Sequence, residues 1–334
     1  MIKNEIVEGI CENYTHDGQG VVKVNGYPIF VKGVVRNEVV KVQIMRDRKT
    51  YAFGRIVEIV KASKHRQKPP CPIYGKCGGC QLQHMNIEAQ QDFKRSKVQE
   101  VISRVGKLDI EVNPVMEMEH PFSYRNKGQI PVACVQKQVQ TGFYRIHSND
   151  IVDMNACMIQ SDVINLLMKT IKDDLQQFQN GQSIRHLLIK HAFTTGEAMV
   201  VFISRKDLMV KHLKEVYPKL RSVVVNLNRR DDNVILGQEE MVVYGDGFIV
   251  DELNGLKFHI SSKSFYQVNP IQTKTLYELA LENAQLTKEE ELLDLYCGVG
   301  TISLFMAPHA LHVTGIEIVS SAIRDARRNA SMNQ

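Results

Sequence analysis

The chain has 334 residues, with 42 lysines and arginines against 37 aspartates and glutamates, a formal net charge of +5. That length suits two or three domains, and 43% hydrophobic with 24% charged residues excludes the collagenous, low-complexity and disordered classes. No apolar run reaches the roughly 18 residues a bilayer crossing needs. The opening MIKNEIVEGI also lacks the basic, apolar, small-residue order of a secretory leader. The expected location is therefore the cytoplasm, with no membrane partner, and +5 is too small a charge to imply nucleic acid unaided.

Residues 1 to 60 read as short strands separated by turns: EIVEGICENY, GVVKV, YPIFV, VVKVQIM and AFGRIVEIV. Regular short strands with glycine turns suggest a small β-barrel. Between Arg46 and Lys68 eight cations face two acids. That stretch is either a solvated rim or a platform for single-stranded RNA. Pro69-Pro70 ends the unit, since neither residue can donate to a ladder. Residues 86 to 106 predict an amphipathic helix with Phe93, Val98, Val101 and Ile102 on its apolar face. From about 120 to 258 strands (KGQIPVACV, RHLLIKHAF, EAMVVFIS, SVVVNLN) mix with helices (INLLMKTIKDDLQQF, LMVKHLKEVYPKL), an α+β pattern. Beyond 263 the order becomes helix, strand, helix, strand, helix. This is the opening of a doubly wound α/β sheet that stops before several further units would complete it.

Two motifs carry chemistry. The first is Asp294-Leu-Tyr-Cys-Gly-Val-Gly300, between an apolar strand and a helix. A dinucleotide site wants G-x-G-x-x-G with a pyrophosphate at the helix start. Here Ser303 holds the third place, and Asp294 would repel a pyrophosphate. An acid there suits a donor with a cationic amino-acid end, S-adenosylmethionine. Gly298 and Gly300 would let it approach the backbone, and Glu317, 23 residues after Asp294, could accept its ribose hydroxyls. An NAD site and a plain structural turn are the alternatives.

The second motif is Cys71-x5-Cys77-x2-Cys80, with Cys157 as a distant fourth thiol. Four thiolates suit a tetrahedral zinc or a [4Fe–4S] cluster, and buried thiols are the third possibility. Cys11 and Cys134 lie in apolar strand patterns and read as core, and Cys297 reads as a small packing residue within the turn.

Ser264-Phe-Tyr-Gln-Val-Asn269 followed by DLYCGVGTISL resembles the RNA uracil-C5 methyltransferase family, which makes 5-methyluridine with S-adenosylmethionine. YRNKGQIPV (124–132), GFYRIHSNDIVD (142–153) and NVILG (233–237) resemble the central domain of its 23S ribosomal RNA branch. The resemblance spans the whole chain. It implies a TRAM, OB-like barrel at 1–60, an iron–sulfur α+β domain at 61–85 and 120–258, and a Rossmann-like methyltransferase domain at 86–119 and 259–334. It implies that Gln267, Tyr296 and Glu317 hold S-adenosylmethionine, that Phe265 sits near the target base, and that Arg125 and Lys127 contact phosphate. It also implies a [4Fe–4S] cluster on Cys71, Cys77, Cys80 and Cys157. The family pattern has a histidine where this chain has Asn149.

The chemistry implied is covalent: a cysteine thiolate adds to uracil C6, C5 takes the methyl group, a glutamate removes the C5 proton and the thiolate leaves. The target base must be extruded to reach the pocket. In the family that cysteine and glutamate lie further on than Gln334. The expectation is a shortened, inactive chain with no catalytic residue to name. The expected partner is ribosomal RNA, not DNA. Transfer RNA, an RNA-binding iron–sulfur module without catalysis, and an NAD-linked oxidoreductase are the competing functions.

Overall fold

The computed structural model describes residues 1–177, 183–204 and 213–334. They form two compact units, Met1–Glu117 with Arg145–Ser148, and Met118–Tyr144 with Asn149–Gln334. This division differs from the three stretches expected, because residues 86 to 117 fall in the same unit as the barrel. Among the described residues no helix is long and apolar enough to cross a membrane.

In the first unit, β1 (Ile6–Tyr14), β2 (Gly20–Val24), β3 (Tyr27–Val31), β4 (Val39–Asp47) and β5 (Ala52–Lys61) close a barrel in the order β1-β2-β3-β5-β4. All five strands follow the alternation of the sequence. The inward row Cys11, Val22, Ile29, Val31, Val40, Val42, Ile44 and Ala52 is fully buried. Each such aliphatic side chain is worth about 1.5–3 kcal/mol relative to exposure. Closure depends on Gly54, where a Cβ would lie 2.2 Å from Val42 Cγ1, so only glycine lets β4 and β5 approach there.

Helix α1 (Ile87–Arg104) begins where the Asn86 side chain accepts from the Ala89 amide. Its apolar contact is short. Ala89 and Phe93 pack with Tyr14, Val35 and Met85, and the Tyr14 and Phe93 rings meet edge to face at 5.3 Å. The expected apolar face is corrected here, since Val98 and Val101 are 50% and 58% exposed. Polar residues continue the packed stripe instead. Lys97 Nζ donates to the Tyr14 carbonyl at 2.6 Å, and Asn13 Nδ2 donates to Glu100 Oε1 at 2.6 Å.

The second unit is built on a seven-stranded sheet. Its strands are β6 (Lys127–Val135), β7 (Gln138–Tyr144), β8 (Ile151–Asp153), β9 (Ile184–His191), β10 (Ala198–Ser204), β11 (Leu220–Leu227) and β12 (Glu239–Gly245). They lie in the order β12-β11-β10-β9-β6-β7-β8. Interior strand β10 is buried at every position, matching its apolar run. Helix α2 (Asp162–Gln177) buries Ile164, Leu167, Met168, Ile171 and Leu175, a helical repeat of one face. Only Leu213–Val216 (α3) of the helix expected over LMVKHLKEVYPKL lies within the described residues as a helix.

A hairpin of β13 (Phe248–Leu253) and β14 (Leu256–Ser261) follows, turned by Asn254 and Gly255 at φ 52° and 79°. Then come α4 (Pro270–Ala284), β15 (Glu291–Leu295), α5 (Thr301–Met306), β16 (His312–Ile316) and α6 (Ser320–Met332). β15 and β16 pair in parallel, Asp294 opposite Gly315, with α5 as the crossover. This is the β-α-β unit read from the sequence.

Candidate functional site

The chain bends sharply after β15. Tyr296, Gly298 and Gly300 all have left-handed backbone, at φ 67°, 57° and 82°. A Cβ on Gly298 would meet nothing within 4 Å, so this residue borders open space. The bend is pinned to the neighbouring strand, because the Cys297 amide donates to the Ile316 carbonyl at 2.9 Å. Glu317, just past β16, accepts from the Gly298 amide at 3.2 Å through Oε2 and from the Val319 amide at 2.8 Å through Oε1. Glycine bend and carboxylate, 19 residues apart, are thus brought together as their spacing suggests. Asp294 accepts from Ser303 Oγ at 2.5 Å, tying the strand end to α5. Tyr296 is 88% exposed and its ring stands free of the bend. Cys297 is buried with its thiol pushed up, by burial first and then by Asp294 and Glu317. That environment suits the packing role expected of it.

The Ser264–Asn269 segment leads into α4, whose first turn is capped by Asn269 accepting from the Gln272 amide at 3.1 Å. Phe265 is 61% exposed, while Ser264 and Tyr266 on either side are buried. Backbone bonds sew this segment to the one before β6. Asn126 donates through its amide to the Val268 carbonyl at 3.0 Å and through Nδ2 to the Gln267 carbonyl at 2.9 Å. Lys127 follows, with Nζ 6.0 Å from the centre of the Phe265 ring. So Phe265, Gln267 and Lys127 share one neighbourhood. Burial, then the charge of Arg125, holds the Lys127 ammonium below its usual range. Arg125 keeps a buried Nε with no hydrogen-bond partner.

Beneath the segment lies Lys190, fully buried in β9. Its Nζ donates to the Ser261 carbonyl at 2.6 Å and the Ser264 carbonyl at 2.8 Å. Burial, aided by Lys127, lowers its pKa to about 7 against the opposite pull of Asp325 and Glu240.

Helix α6 supplies two more anchors. Asp325 Oδ2 accepts from Ser264 Oγ at 2.6 Å and Ser261 Oγ at 3.0 Å, and Oδ1 lies 3.4 Å from His259 Nδ1. Burial alone would raise this carboxyl, but His259 and the two serines hold it below the ordinary carboxylate value. One turn on, Asn329 accepts from the His259 amide at 2.7 Å and donates to the Val299 carbonyl at 2.8 Å. The helix thereby holds the Phe265 segment with one residue and the glycine bend with the other. Sequence reasoning missed Asn126, Lys190, Asp325 and Asn329. Asp and Asn four apart in a helix, and a lysine inside LLIKH, were the available signals.

The expected metal ligands find no support. Among the described residues, no group of three or more His, Cys, Asp or Glu side chains could hold a metal ion. Cys71, Cys77, Cys80 and Cys157 are all half-buried, and turn hydrogen bonds organise the loop instead. The Cys71 amide donates to Gln83 Oε1 at 3.2 Å, and the Gly79 amide donates to Cys77 Sγ at 3.3 Å. Cys157 is tied through its backbone to Asn165, receiving at 3.1 Å and donating at 2.8 Å. A [4Fe–4S] cluster is thus not supported among the described residues. Cys11 is core as expected, its thiol pushed up to about 12 by burial. Cys134 is only half-buried, because it lies near the end of β6 beside exposed Val135.

Comparison with known proteins gives consistent matches. The profile of the tRNA (Uracil-5-)-methyltransferase family matches residues 86–334, and that of the TRAM domain matches residues 7–57. The latter agrees with the closed barrel. A protein of Halalkalibacterium halodurans named an uncharacterized RNA methyltransferase is 41% identical over 346 residues, covering 99% of this chain and 76% of the relative. One of the same description from Listeria monocytogenes serotype 4b is 42% identical over the same span and coverage. The chain spans about three quarters of the length of these relatives. The solved structure of the Pyrococcus abyssi tRNA (uracil-54, C5)-methyltransferase with S-adenosyl-L-homocysteine superimposes with a TM-score of 0.74. It is 24% identical and covers 98% of this chain and 76% of its own. At that identity the likeness speaks to the fold.

Proposed function

The chain belongs to the tRNA (uracil-5-)-methyltransferase family, and on that premise we propose that it transfers a methyl group from S-adenosylmethionine to C5 of a uridine in 23S ribosomal RNA. The observation that carries the reading is Glu317 beside the Gly298 bend, a carboxylate at a strand end facing open backbone. On this reading Glu317 receives the ribose hydroxyls, Tyr296 and Gln267 flank the donor, and Gly298 and Gly300 let it approach. Asp294 holds the bend through Ser303 and sets an acid near the donor's cationic end. Phe265 stacks on the extruded uracil, and Lys127 and Arg125 face the RNA backbone. The ribosomal substrate is supported by the resemblance of YRNKGQIPV, GFYRIHSNDIVD and NVILG to that branch of the family.

Uracil C5 is a weak nucleophile, so the reaction proposed is addition and elimination. A thiolate bonds to C6, the C5–methyl bond forms as the donor's S–methyl bond breaks, a base takes the C5 proton, and the thiolate departs. No residue of this chain is assigned as that thiolate or base. Its own residues hold the donor and the flipped base.

Donor binding is the direct test. Titration calorimetry with S-adenosylhomocysteine is expected to show a single site, weakened about tenfold or more in Glu317→Ala, which loses a charge-assisted contact. No binding, or preferential binding of NAD, overturns the reading. Mass spectrometry of 23S RNA for 5-methyluridine, with transfer RNA as comparison, tests the substrate.

A further inference from the structure

Phe265 is 61% exposed, yet the chain on either side of it is tied down. After it, Asn126 holds the Gln267 and Val268 carbonyls. Before it comes the bend at residues 261–264, Ser-Ser-Lys-Ser, which is gripped from three elements. Asp325 on α6 takes the Ser261 and Ser264 hydroxyls, and Glu240 on β12 takes the Ser262 hydroxyl at 2.7 Å. Lys190 on β9 takes the backbone instead. Its Nζ donates to the carbonyls of both end residues, Ser261 at 2.6 Å and Ser264 at 2.8 Å.

These contacts differ in what they fix. A bond to a serine hydroxyl reaches the backbone only through the rotatable χ1. The Ser264 carbonyl, by contrast, lies in the planar peptide that also carries the Phe265 amide nitrogen. Holding that oxygen sets the plane from which Phe265 departs. Lys127 on β6 is the register partner of Lys190, so the two lysines share one face of the sheet. Lys190 reaches the peptide, and Lys127 Nζ lies 6.0 Å from the centre of the ring that follows. Neighbouring ammonium groups repel, and burying one costs free energy unless it is matched. Three serine hydroxyls already anchor the bend, so stability alone does not call for a fully buried lysine beside a second one.

Resting on the RNA reading above, we propose that Lys190 is a positioning residue of the base site: it clasps both ends of the 261–264 bend and so fixes the peptide that presents Phe265 to the extruded uracil. An exposed ring on a loose segment would lose freedom when a base stacks on it. The clasp removes that loss before RNA arrives. Lys190 and Asn126 bracket Phe265 from the two sides, which leaves the side-chain torsions as its main freedom. Buried beneath the segment, Lys190 acts through the Ser264 peptide and not by touching the base.

Incorporating para-fluorophenylalanine in place of Phe265 puts a reporter on the ring itself. Its fluorine NMR spectrum needs no RNA, so it separates this inference from the functional reading. One narrow resonance is expected with Lys190 present. Lys190→Met keeps a long side chain but removes the ammonium, and should shift or split that resonance while circular dichroism stays unchanged. A merely structural lysine would lower the unfolding midpoint and leave the resonance in place. Filter binding of a uridine-containing single-stranded RNA should weaken about fivefold or more in Lys190→Met. S-adenosylhomocysteine affinity should hold within about twofold, because Asn329 and Glu317 fix the glycine bend through separate bonds. Where Lys190→Met does not fold, the wild type still decides. Below the pKa of about 7 that burial and Lys127 leave it, the Lys190 ammonium should show slowly exchanging protons by NMR, as a bonded buried donor does. A fluorine line unmoved by Lys190→Met, undiminished RNA affinity, equal loss of RNA and donor, or fast ammonium exchange overturns the positioning role. A wild type that binds neither RNA nor donor would instead count against the functional reading.

Discussion

The barrel and the region around the glycine bend solve the burial of polar groups in opposite ways. The barrel interior is apolar throughout, and its one fully buried charge, Glu38, sits beside the core. There the Val35 amide donates to Glu38 Oε2 at 2.9 Å, the Ser63 amide donates to Oε1 at 3.2 Å, and Arg66 Nη2 donates to Oε2 at 2.6 Å. That cluster fastens the loop after β3 to the chain leaving β5. The second unit buries Asn126, Lys190, Ser264, Asp325 and Asn329, and their bonds run to the two loops proposed to hold donor and base. Polar burial costs free energy unless every group is matched. The barrel uses it once to close its structure, and the second unit uses it repeatedly to fix loop geometry. The difference teaches where each unit is brittle: the barrel at one charge pair, the second unit at its loops.

The largest effect expected is at Glu38. Glu38→Ala removes the carboxylate partner of Arg66 and leaves two amides unmatched, and urea unfolding of the barrel should show a loss of about 3 kcal/mol. Burial raises the Glu38 carboxyl, but Arg66 and the Val35 and Ser63 amides outweigh it and hold it below its ordinary value. Its contribution is therefore full above the normal carboxylate range and is lost as pH falls through the lowered folded value. Glu38→Gln should flatten the acid limb of the stability profile, and an unchanged limb would contradict the assigned role.

Asn329→Ala comes next and acts on the other unit. Detaching the Val299 carbonyl and the His259 amide should weaken S-adenosylhomocysteine binding several-fold, at a stability cost of about 1–2 kcal/mol. If stability drops with donor affinity intact, Asn329 is only a structural tie. The smallest effect is at Val98, half exposed on α1. Val98→Ser should change the unfolding free energy by less than about 0.5 kcal/mol. A larger loss would restore the apolar face that the helix pattern suggests.

The barrel was legible strand by strand, because alternation with a single buried face leaves few other registers. The β15-α5-β16 unit and its glycine bend were legible for a related reason: an apolar strand, glycines and a helix in fixed order. β12 escaped notice although Met241–Tyr244 is a short apolar run, since so brief a run without alternation does not by itself separate a strand from other segments, and all seven residues are exposed. The β13-β14 hairpin carried a usable signal, Asn254-Gly255, the pair that tolerates left-handed backbone in a two-residue turn. On α1 the pattern misled, since Lys97 and Glu100 occupy the packed face with their polar ends bonded to Asn13 and Tyr14. Candidate site residues near Phe265 and Glu317 were placed by motif. The buried groups beneath them were not, because a lone lysine or asparagine announces burial only once its partners are known.

Helix α6 grips Ser264 through Asp325 and Val299 through Asn329, a single turn apart. Fraying of that helix from its C-terminal end would free the Val299 carbonyl from Asn329 before Ser264 loses Asp325. Amide hydrogen exchange at His259, whose N–H is given to Asn329, would then report the earlier opening. One helical turn therefore fastens both loops, and exchange at His259 is the measurement that shows whether they open in sequence.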